Sequence, residues 1–381
     1  MTAPTQRVAV RLALFYAAMF ALIGVHLPFW PVWLQSRGLG ATEIGVVLAI
    51  GVSVKVIVNP LVAGLADRLG RRRPIMVALA FAALAAFAQF AWTGGFWSIA
   101  AVTVLFFAAW SPIMPLGESL TMLAGGGRQL DYGRIRAWGS LAFIVTSVGA
   151  GYLLVGRPAD TVFGAVLAMM VLAATATLAL PGTRTTPAEG GRFAPLEVLR
   201  DGQFRLFLLA AALIQASHSV YYGFGTLHWK AAGHSESVIG WLWAEGVLAE
   251  IVLFAFGARL IGRLGPGVLM GLGGAAGAVR WAMTATAESL TLLIVLQALH
   301  AFSFGATHLG AIHYIAGRFP TAVSASAQSL YSAVVMGLGM GLSSLLAGWL
   351  YAAYGGGAYA IMAGLAAFGV VTAVLLVNKR P

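Results

Sequence analysis

The most regular feature of this sequence is a series of long apolar runs separated by short polar connections. Twelve runs can be delimited, and each is close to the roughly 20 residues that a helix needs to cross a bilayer. Their bounds are about 8–33, 43–66, 75–93, 97–122, 135–155, 160–180, 206–229, 237–261, 266–284, 288–316, 322–352 and 358–377. The pattern therefore predicts an all-α membrane protein with twelve transmembrane helices.

The longest polar stretch of the chain lies at residues 181–203. It contains proline, glycine, threonine and charged residues without an apolar period, which is typical of a linker. We expect an N-terminal six-helix half at 1–180, a cytoplasmic linker at 181–205 and a C-terminal six-helix half at 206–381. Gly70-Arg71 and Gly262-Arg263 occupy similar places in the two halves, as parallel repeats would.

The basic residues are distributed unevenly among the connections. If the N-terminus is cytoplasmic, the outer loops hold only Arg37, Arg157 and Lys230, whereas the inner ends and loops hold eighteen lysines and arginines. Basic residues concentrate on the cytoplasmic side of membrane proteins, so both termini are predicted to be cytoplasmic. The eighteen are Arg7, Arg11, Arg68, Arg71, Arg72, Arg73, Arg128, Arg134, Arg136, Arg184, Arg192, Arg200, Arg205, Arg259, Arg263, Arg318, Lys379 and Arg380.

Composition supports a membrane chain and excludes several classes. Of the 381 residues 60% are hydrophobic and 9% are charged, with a mean hydropathy of +0.88, which no soluble domain shows. The net charge of +11 lies in short loops, where it sets topology, so no nucleic-acid partner is expected. The absence of cysteine excludes disulfides and thiolate metal sites. Neither an H-E-x-x-H pair nor a P-loop is present, so we expect no catalytic residues, metal or cofactor.

The densest charge cluster separates the second and third runs. Asp67 and four arginines fall within seven residues of the stretch Ala63-Gly-Leu-Ala-Asp-Arg-Leu-Gly-Arg-Arg-Arg-Pro74. The stretch resembles the signature loop of the major facilitator superfamily, except that Ala63 replaces its opening glycine. This resemblance implies a secondary transporter of two pseudo-symmetric halves that works by alternating access. The predicted gating residues are Asp67, Arg68, Arg71, Asp131 and Arg134.

Ionisable residues inside a spanning helix are candidates for function because burying charge in lipid is costly. Glu118 and Arg136 are the first such pair, in the fourth and fifth helices. Asp131-Tyr-Gly-Arg-Ile-Arg-Ala-Trp-Gly-Ser140 resembles motifs of the lactose and phenylpropionate permease families, which implies that Glu118 and Arg136 bind substrate. The alternative is a topogenic arginine with a structural partner.

A second group comprises Glu250, Arg280, His300 and His308 on the predicted helices eight to ten. Arg280 and His300 match the proton-coupling positions of the lactose permease family. That family's tenth-helix glutamate is replaced by Ser303, so we expect Glu250 to carry the proton while pairing with Arg280. A static buried ion pair is the alternative.

Three further residues are predicted to contact substrate. Lys55 lies near the middle of the second helix, and a buried lysine requires an anion, either Glu118 or a substrate carboxylate. His218 and Tyr222 are four residues apart and share a helix face, in a Ser-His-x-x-Tyr-Tyr-Gly-Phe stretch that resembles the phenylpropionate permease family. The alternative for His218 and Tyr222 is an aromatic belt at the outer interface. Trp30 and Trp33 are likewise expected to anchor the first helix at an interface.

Together the sequence and its resemblance predict proton-coupled uptake of a small aromatic carboxylate such as phenylpropionate. The implied location is the cell inner membrane, as a multi-pass monomer in the bilayer. A sugar or nucleoside symporter that uses Glu118 and Arg136 for hydroxyls stays open, as does a drug-efflux antiporter.

Overall fold

The computed structural model describes residues 3–125, 130–183 and 195–378. These residues are almost entirely helical, which confirms the all-α prediction. Part of the predicted linker, residues 184–194, lies outside the described residues, as do Arg128, Arg184, Arg192, Lys379 and Arg380.

Within the described ranges, ten helical stretches are long and apolar enough to cross a membrane. One continuous stretch, Ser326–Val377, covers the predicted run 358–377 and most of the predicted run 322–352. The helix Pro266–Thr284 covers the predicted run 266–284 but is not among the ten. The count of twelve spans therefore stays a prediction.

The chain separates into two compact units. Unit 1 comprises residues 1–39, 53–189 and 235–244, and unit 2 comprises 40–52, 190–234 and 245–381. Residues 40–52 precede the predicted linker but belong to unit 2, and residues 235–244 follow the linker but belong to unit 1. The predicted bounds of the two halves stay a prediction.

The helices of the first part of the chain run from α1 to α7, with one short 3-10 turn at Gln89–Trp92. They are α1 Ala3–Ser36, α2 Ala41–Leu69, α3 Arg72–Ala88, α4 Phe96–Trp110, α5 Ile113–Gly125, α6 Tyr132–Leu154 and α7 Asp160–Leu178. In unit 1, α1 approaches α6 closely at Gly24, where an added Cβ would lie 2.7 Å from the Phe143 carbonyl oxygen. Outside the apolar core, Arg37 Nη2 donates to Asp160 Oδ1 at 2.6 Å and joins α7 to the segment after α1.

The aromatic core of unit 1 corrects the prediction for the first helix. Trp30 and Trp33 are 3% and 0% exposed, so neither anchors an interface. Their rings stack 4.4 Å apart and pack against Phe87 and Phe90 of the third predicted run. The helix continues past Pro28 and Pro31 to Ser36, so both tryptophans lie within the helix rather than at its end.

The second part of the chain contains eleven further helices within the described residues. They are α8 Pro195–Arg200, α9 Gly202–Ala216, α10 Ser219–Ala231, α11 Glu236–Ala255, α12 Gly257–Leu264, α13 Pro266–Thr284, α14 Leu290–Ala298, α15 Thr307–Arg318, α16 Thr321–Tyr331, α17 Met340–Tyr354 and α18 Ala358–Asn378. Two π-helical turns, Ala301–Ala306 and Ser332–Gly339, interrupt the helical runs, and a 3-10 turn, Gly355–Gly357, precedes α18. Such π turns widen a helix locally and are frequent at functional sites.

Glycines allow the helices of unit 2 to pack closely. An added Cβ on Gly274 would lie 3.2 Å from the Ile214 side chain and 2.9 Å from Val370. The segment 40–52 also belongs to this unit, and there a Cβ on Gly45 would lie 2.7 Å from the Cα of Gly348. Small residues at such crossings let backbones approach and are typical of membrane helix packing.

Candidate functional site: a buried charge network and a lysine

A fully buried arginine is the centre of a polar network in unit 2. Arg280, on α13, is 0% exposed. Its Nη2 donates to Gln297 Oε1 at 2.6 Å, and its Nη1 donates to Ser303 Oγ at 3.3 Å. The guanidinium also lies 4.5 Å from the ring centre of Tyr221 and 4.4 Å from that of Trp281. Hydrogen bonds and aromatic faces together compensate for taking this charge out of water.

His300 joins Arg280 to Glu250. Its Nδ1 lies 2.8 Å from Arg280 Nη1, and its Nε2 lies 2.8 Å from Glu250 Oε1. An arginine can only donate, so Nδ1 must be the accepting nitrogen, and the ring proton of neutral His300 must be on Nε2. That N–H donates to the carboxylate. The neighbours thus determine one tautomer and form a chain from guanidinium through imidazole to carboxylate.

This geometry refines the expected pairing of Glu250 with Arg280. One partner of the Glu250 carboxylate is the His300 ring, which also contacts Arg280. The carboxylate therefore feels the guanidinium through an imidazole that must stay neutral at Nδ1 to keep both bonds. A proton placed on Nδ1 would set two donors against each other.

His218 belongs to the same network. Its Nε2 lies 3.1 Å from Ser303 Oγ, which also accepts from Arg280, and its ring stacks on Tyr222 with centres 5.8 Å apart. His218 is 0% exposed, which excludes an aromatic belt at the outer interface for that residue. The i to i+4 spacing correctly predicted the shared face. Residues predicted for substrate contact and for proton coupling thus lie in one cluster.

The π-helical turn after His300 shapes this cluster. It contains Ser303 and Phe304, and the Phe304 ring stacks between two histidines. The ring centres of His300 and Phe304 are 5.5 Å apart, and those of Phe304 and His308 are 6.0 Å apart. His308 is thus separated from His300 by a phenyl ring, and its Nδ1 is buried without a hydrogen-bond partner in the described structure.

Sequence reasoning missed Gln297 as a partner of Arg280, and it treated Ser303 only as a missing carboxylate. Gln297 is the one amide in the apolar run Leu290-Thr-Leu-Leu-Ile-Val-Leu-Gln297, so the rule that flags buried polar residues could have found it. Ser303 carries no such signal, because a serine can satisfy its own helix backbone. Its bridging position depends on the π turn.

Glu118 and Arg136 lie in unit 1 without forming an ion pair within 4.0 Å among the described residues. The Arg136 guanidinium lies over the ring of Phe20 at 3.8 Å and 5.7 Å from the ring centre of Tyr16. Tyr16 in turn donates to Thr121 Oγ1 at 3.2 Å. Arg136 is therefore half-buried among aromatic rings, and Glu118 is exposed.

The remaining predicted substrate residue, Lys55, lies at the midpoint of α2 in unit 1. Its Nζ is 5.1 Å from the ring centre of Phe107 on α4. Tyr222 and His218 belong to unit 2, so the five predicted substrate residues are divided between the units.

The predicted gating residues are found at helix ends of unit 1. Asp67 accepts from Arg72 Nη2 at 2.5 Å, and Arg72 Nε donates to Ser119 Oγ at 2.9 Å, so the loop is fixed to α5. Asp131 caps α6 by accepting from the Arg134 backbone at 3.0 Å, and its carboxylate pairs with the Arg134 side chain. Arg68 and Arg71 are exposed.

Unit 2 contains an ion pair that the sequence did not predict. Asp201 caps α9 by accepting from the backbone N–H of Gln203 and Phe204, and its Oδ2 accepts from Arg318 Nε at 2.8 Å. Partial burial raises the pKa of Asp201, but the hydrogen bonds from Arg318 and from the two backbone groups outweigh it and hold the pKa below its usual value.

No group of three or more His, Asp or Glu side chains that could hold a metal ion occurs in the parts of the chain that the structure describes. An all-helical membrane chain with charges buried in its spans is typical of a transporter that moves small solutes. Comparison with known proteins agrees, since the relatives and structural neighbours are membrane transporters and not enzymes. The protein is thus a multi-pass secondary transporter of the major facilitator type.

The family can be stated more closely. The model of the MFS_1 like family matches residues 9–361, and the chain belongs to this family. It is 34% identical over 365 residues to the "Probable 3-phenylpropionic acid transporter" of Escherichia coli (strain K12), covering 92% of this chain and 93% of the relative. It is 30% identical over 382 residues to the maltose permease of Geobacillus stearothermophilus, covering 96% and 94%.

The crystal structure of a mutant nucleoside transporter NupG has the same fold. Its TM-score is 0.89 at 15% identity, covering 97% of this chain and 99% of that chain. Together with the family model and the relatives, this fold confirms the resemblance to the major facilitator superfamily.

Proposed function

We propose that the protein imports a small aromatic carboxylate, such as 3-phenylpropionate, together with a proton by alternating access. The observation that carries the coupling is the chain from Arg280 through His300 to Glu250, with both contacts at 2.8 Å. The relative named for 3-phenylpropionic acid supports the substrate class.

Glu250 is the proposed proton site. In the described arrangement its carboxylate accepts the Nε2–H of His300. A proton that binds Glu250 neutralises the carboxylate and weakens this charge-assisted bond, and loss of the proton restores it. The proton stays on an oxygen of Glu250, while His300 stays neutral and transmits the field of Arg280. His308 has no part in this chain of contacts, and its assisting role rests on its place in the ring stack.

The substrate would contact Glu118, Arg136, Lys55, His218 and Tyr222. Arginine and lysine provide cations for a carboxylate, and Tyr222 and the histidine provide ring surface. A sugar or nucleoside would instead use Glu118 and Arg136 for its hydroxyls. The similarity to a maltose permease favours this second candidate, since it covers 96% of the chain.

The location and gating are part of the same proposal. The protein would lie in the cell inner membrane as a monomer with both termini cytoplasmic, because the basic residues gather in the inner loops. Asp67, Arg68, Arg71, Asp131 and Arg134 would control access, since they gather at the ends of the spans and three of them, Asp67, Asp131 and Arg134, take part in ion pairs there.

The test is uptake by proteoliposomes with and without an inward proton gradient. Radiolabelled 3-phenylpropionate, maltose and uridine would be compared, and a fluorescent drug would be loaded inside to detect efflux. Gradient-dependent accumulation of 3-phenylpropionate is expected. Accumulation of maltose or uridine alone would show that the substrate is a sugar or a nucleoside rather than an aromatic carboxylate. Accumulation of 3-phenylpropionate that does not depend on the proton gradient would refute the coupling.

A further inference from the structure

Lys55 is a cation in the middle of a helix long enough to cross a membrane, and no acid pairs with it among the residues that the structure describes. It lies at the midpoint of α2, 14 residues from either end. Among the described residues no carboxylate comes within ion-pair distance of its Nζ, whereas Arg37, Arg72 and Arg134 all have one. A cation at this depth is costly unless an anion accompanies it.

The helix face on which Lys55 lies is the packed one. With 3.6 residues per turn, Asn59 and Ala66 share that face, whereas Ile57 and Leu61 point the opposite way. Ala66 is fully buried, and Asn59 Oδ1 accepts from Ser111 Oγ at 2.7 Å, close to the end of α4. Ile57 and Leu61 are more than 60% exposed and form the face suited to lipid. The lysine therefore does not project into the bilayer, although its side chain stays accessible.

An aromatic ring of α4 lies beside the ammonium group, and rings of α1 pack against that ring. Phe107 lies 5.1 Å from Nζ, and its ring is 6.3 Å from that of His26. His26 stacks on Trp30 at 5.3 Å, and its Nε2 is buried without a hydrogen-bond partner in the described structure. A buried polar nitrogen without a partner requires an explanation, and a ligand atom is one.

Arg136, the other candidate for binding the substrate carboxylate, already interacts with other residues. Its guanidinium is covered by Phe20 at 3.8 Å, and Glu118 lies near enough to interact with it electrostatically. The Lys55 ammonium group instead lies over the Phe107 ring, and it interacts electrostatically with the His26 imidazole. An anion would therefore gain more at Lys55 than at Arg136.

We propose that Lys55 binds the carboxylate of the substrate and that Phe107 and His26 contact its ring. The inference rests on the proposed function and deepens it, because it assigns recognition of the anion to one residue of α2. Discrimination between an aromatic acid and its neutral amide should then depend on Lys55, while recognition of the ring should not.

The test compares the binding of 3-phenylpropionate and 3-phenylpropionamide to purified protein by quenching of tryptophan fluorescence. Wild-type protein should prefer the acid. In Lys55→Met the affinity for the acid should fall by about tenfold or more, the scale of a charge-assisted hydrogen bond, while that for the amide stays within about twofold. Lys55→Arg should keep most of the preference.

Two further variants make the result specific. Ile57→Met, on the lipid face of the same helix, should behave like wild type. If Arg136→Gln loses the preference for the acid while Lys55→Met keeps it, the inference is wrong and the proposed function stands. If wild-type protein binds neither compound, both are wrong. Thermal melting of each variant in detergent separates loss of binding from loss of fold.

Discussion

The Nε2 of His300 lies 2.8 Å from Oε1 of Glu250, so the imidazole donates a hydrogen bond to this carboxylate. Since the other ring nitrogen accepts from Arg280, His300 can serve both neighbours only as one neutral tautomer. Ring and carboxylate therefore have different tasks. In the proposed mechanism Glu250 gains and loses the proton, whereas protonation of His300 at Nδ1 would break its contact with Arg280.

Replacement of Glu250 by glutamine should separate exchange from accumulation. The amide resembles the protonated carboxyl group and can still accept from His300 Nε2. Counterflow should therefore persist at a rate within a fewfold of wild type, while accumulation driven by a pH gradient should be lost. Both activities are measured in the same vesicles.

Glu245→Gln is the matched control for this variant. Glu245 is five residues earlier on α11 and lines a groove with Leu248, Val252 and Phe302, so the two carboxylates point in different directions. Its neutralisation should leave gradient-driven uptake intact. If the Glu250→Gln variant still accumulates substrate, the proton site must be assigned to Glu118 or to a histidine. If the variant loses counterflow as well as accumulation, Glu250 has a structural role.

Substitutions of His300 should distinguish a bridge from a proton carrier. Glutamine offers one acceptor and one donor and can link Arg280 to Glu250 in part, whereas phenylalanine fills the space and offers neither. Coupled uptake should thus be retained better in His300→Gln than in His300→Phe. The phenylalanine variant should also melt at a lower temperature, because it removes one hydrogen-bond acceptor from the buried guanidinium group of Arg280 and the N–H that donates to Glu250. Equal loss of coupling in both variants, at equal expression, would indicate that the imidazole itself carries the proton.

Much of this arrangement could be predicted from the sequence because lipid makes buried charge conspicuous. Because ionisable residues inside apolar runs are rare, the sequence identified Arg280, His300 and Glu250 as candidates, and the apolar runs themselves predicted where the helices lie. The π turn at Ala301–Ala306 could not be predicted, since it changes hydrogen-bond register without changing composition. For the same reason Ser303 was overlooked. Trp30 and Trp33 were misplaced because tryptophan suits both an interface and a core, and only packing against Phe87 and Phe90 decides.

The Asp201 cap should make stability depend on pH in a defined range. The pKa of this carboxyl is below its ordinary value of 3.8, so its stabilisation is complete above that value and is lost as pH falls through the lower folded pKa. Asparagine caps a helix as well as aspartate but cannot pair with Arg318, whereas alanine does neither. Asp201→Ala should cost about 1 kcal/mol at pH 7, and Asp201→Asn should cost less.

Thermal melts of the three proteins between pH 7 and pH 3 check this expectation. The difference between wild type and Asp201→Asn should stay constant down to about pH 5 and shrink below pH 4, where the wild-type carboxylate becomes protonated. A difference that grows on acidification would show that the pKa is raised in the folded protein.

The crossing of α2 and α17 within unit 2 should tolerate no side chain at Gly45. An added Cβ would lie 2.7 Å from the Cα of Gly348 and 2.8 Å from the Ser344 carbonyl oxygen, both parts of a backbone that cannot rotate away. Gly45→Ala must therefore push the helices apart, at a cost of about 1–3 kcal/mol that a lowered melting temperature would show. Gly64, on the same helix, has no neighbour within 4 Å of an added Cβ, so Gly64→Ala should be neutral or stabilise by up to about 1 kcal/mol. If the two alanine variants melt alike, the crossing at Gly45 is looser than the structure indicates, and close packing there is not what holds residues 40–52 to unit 2.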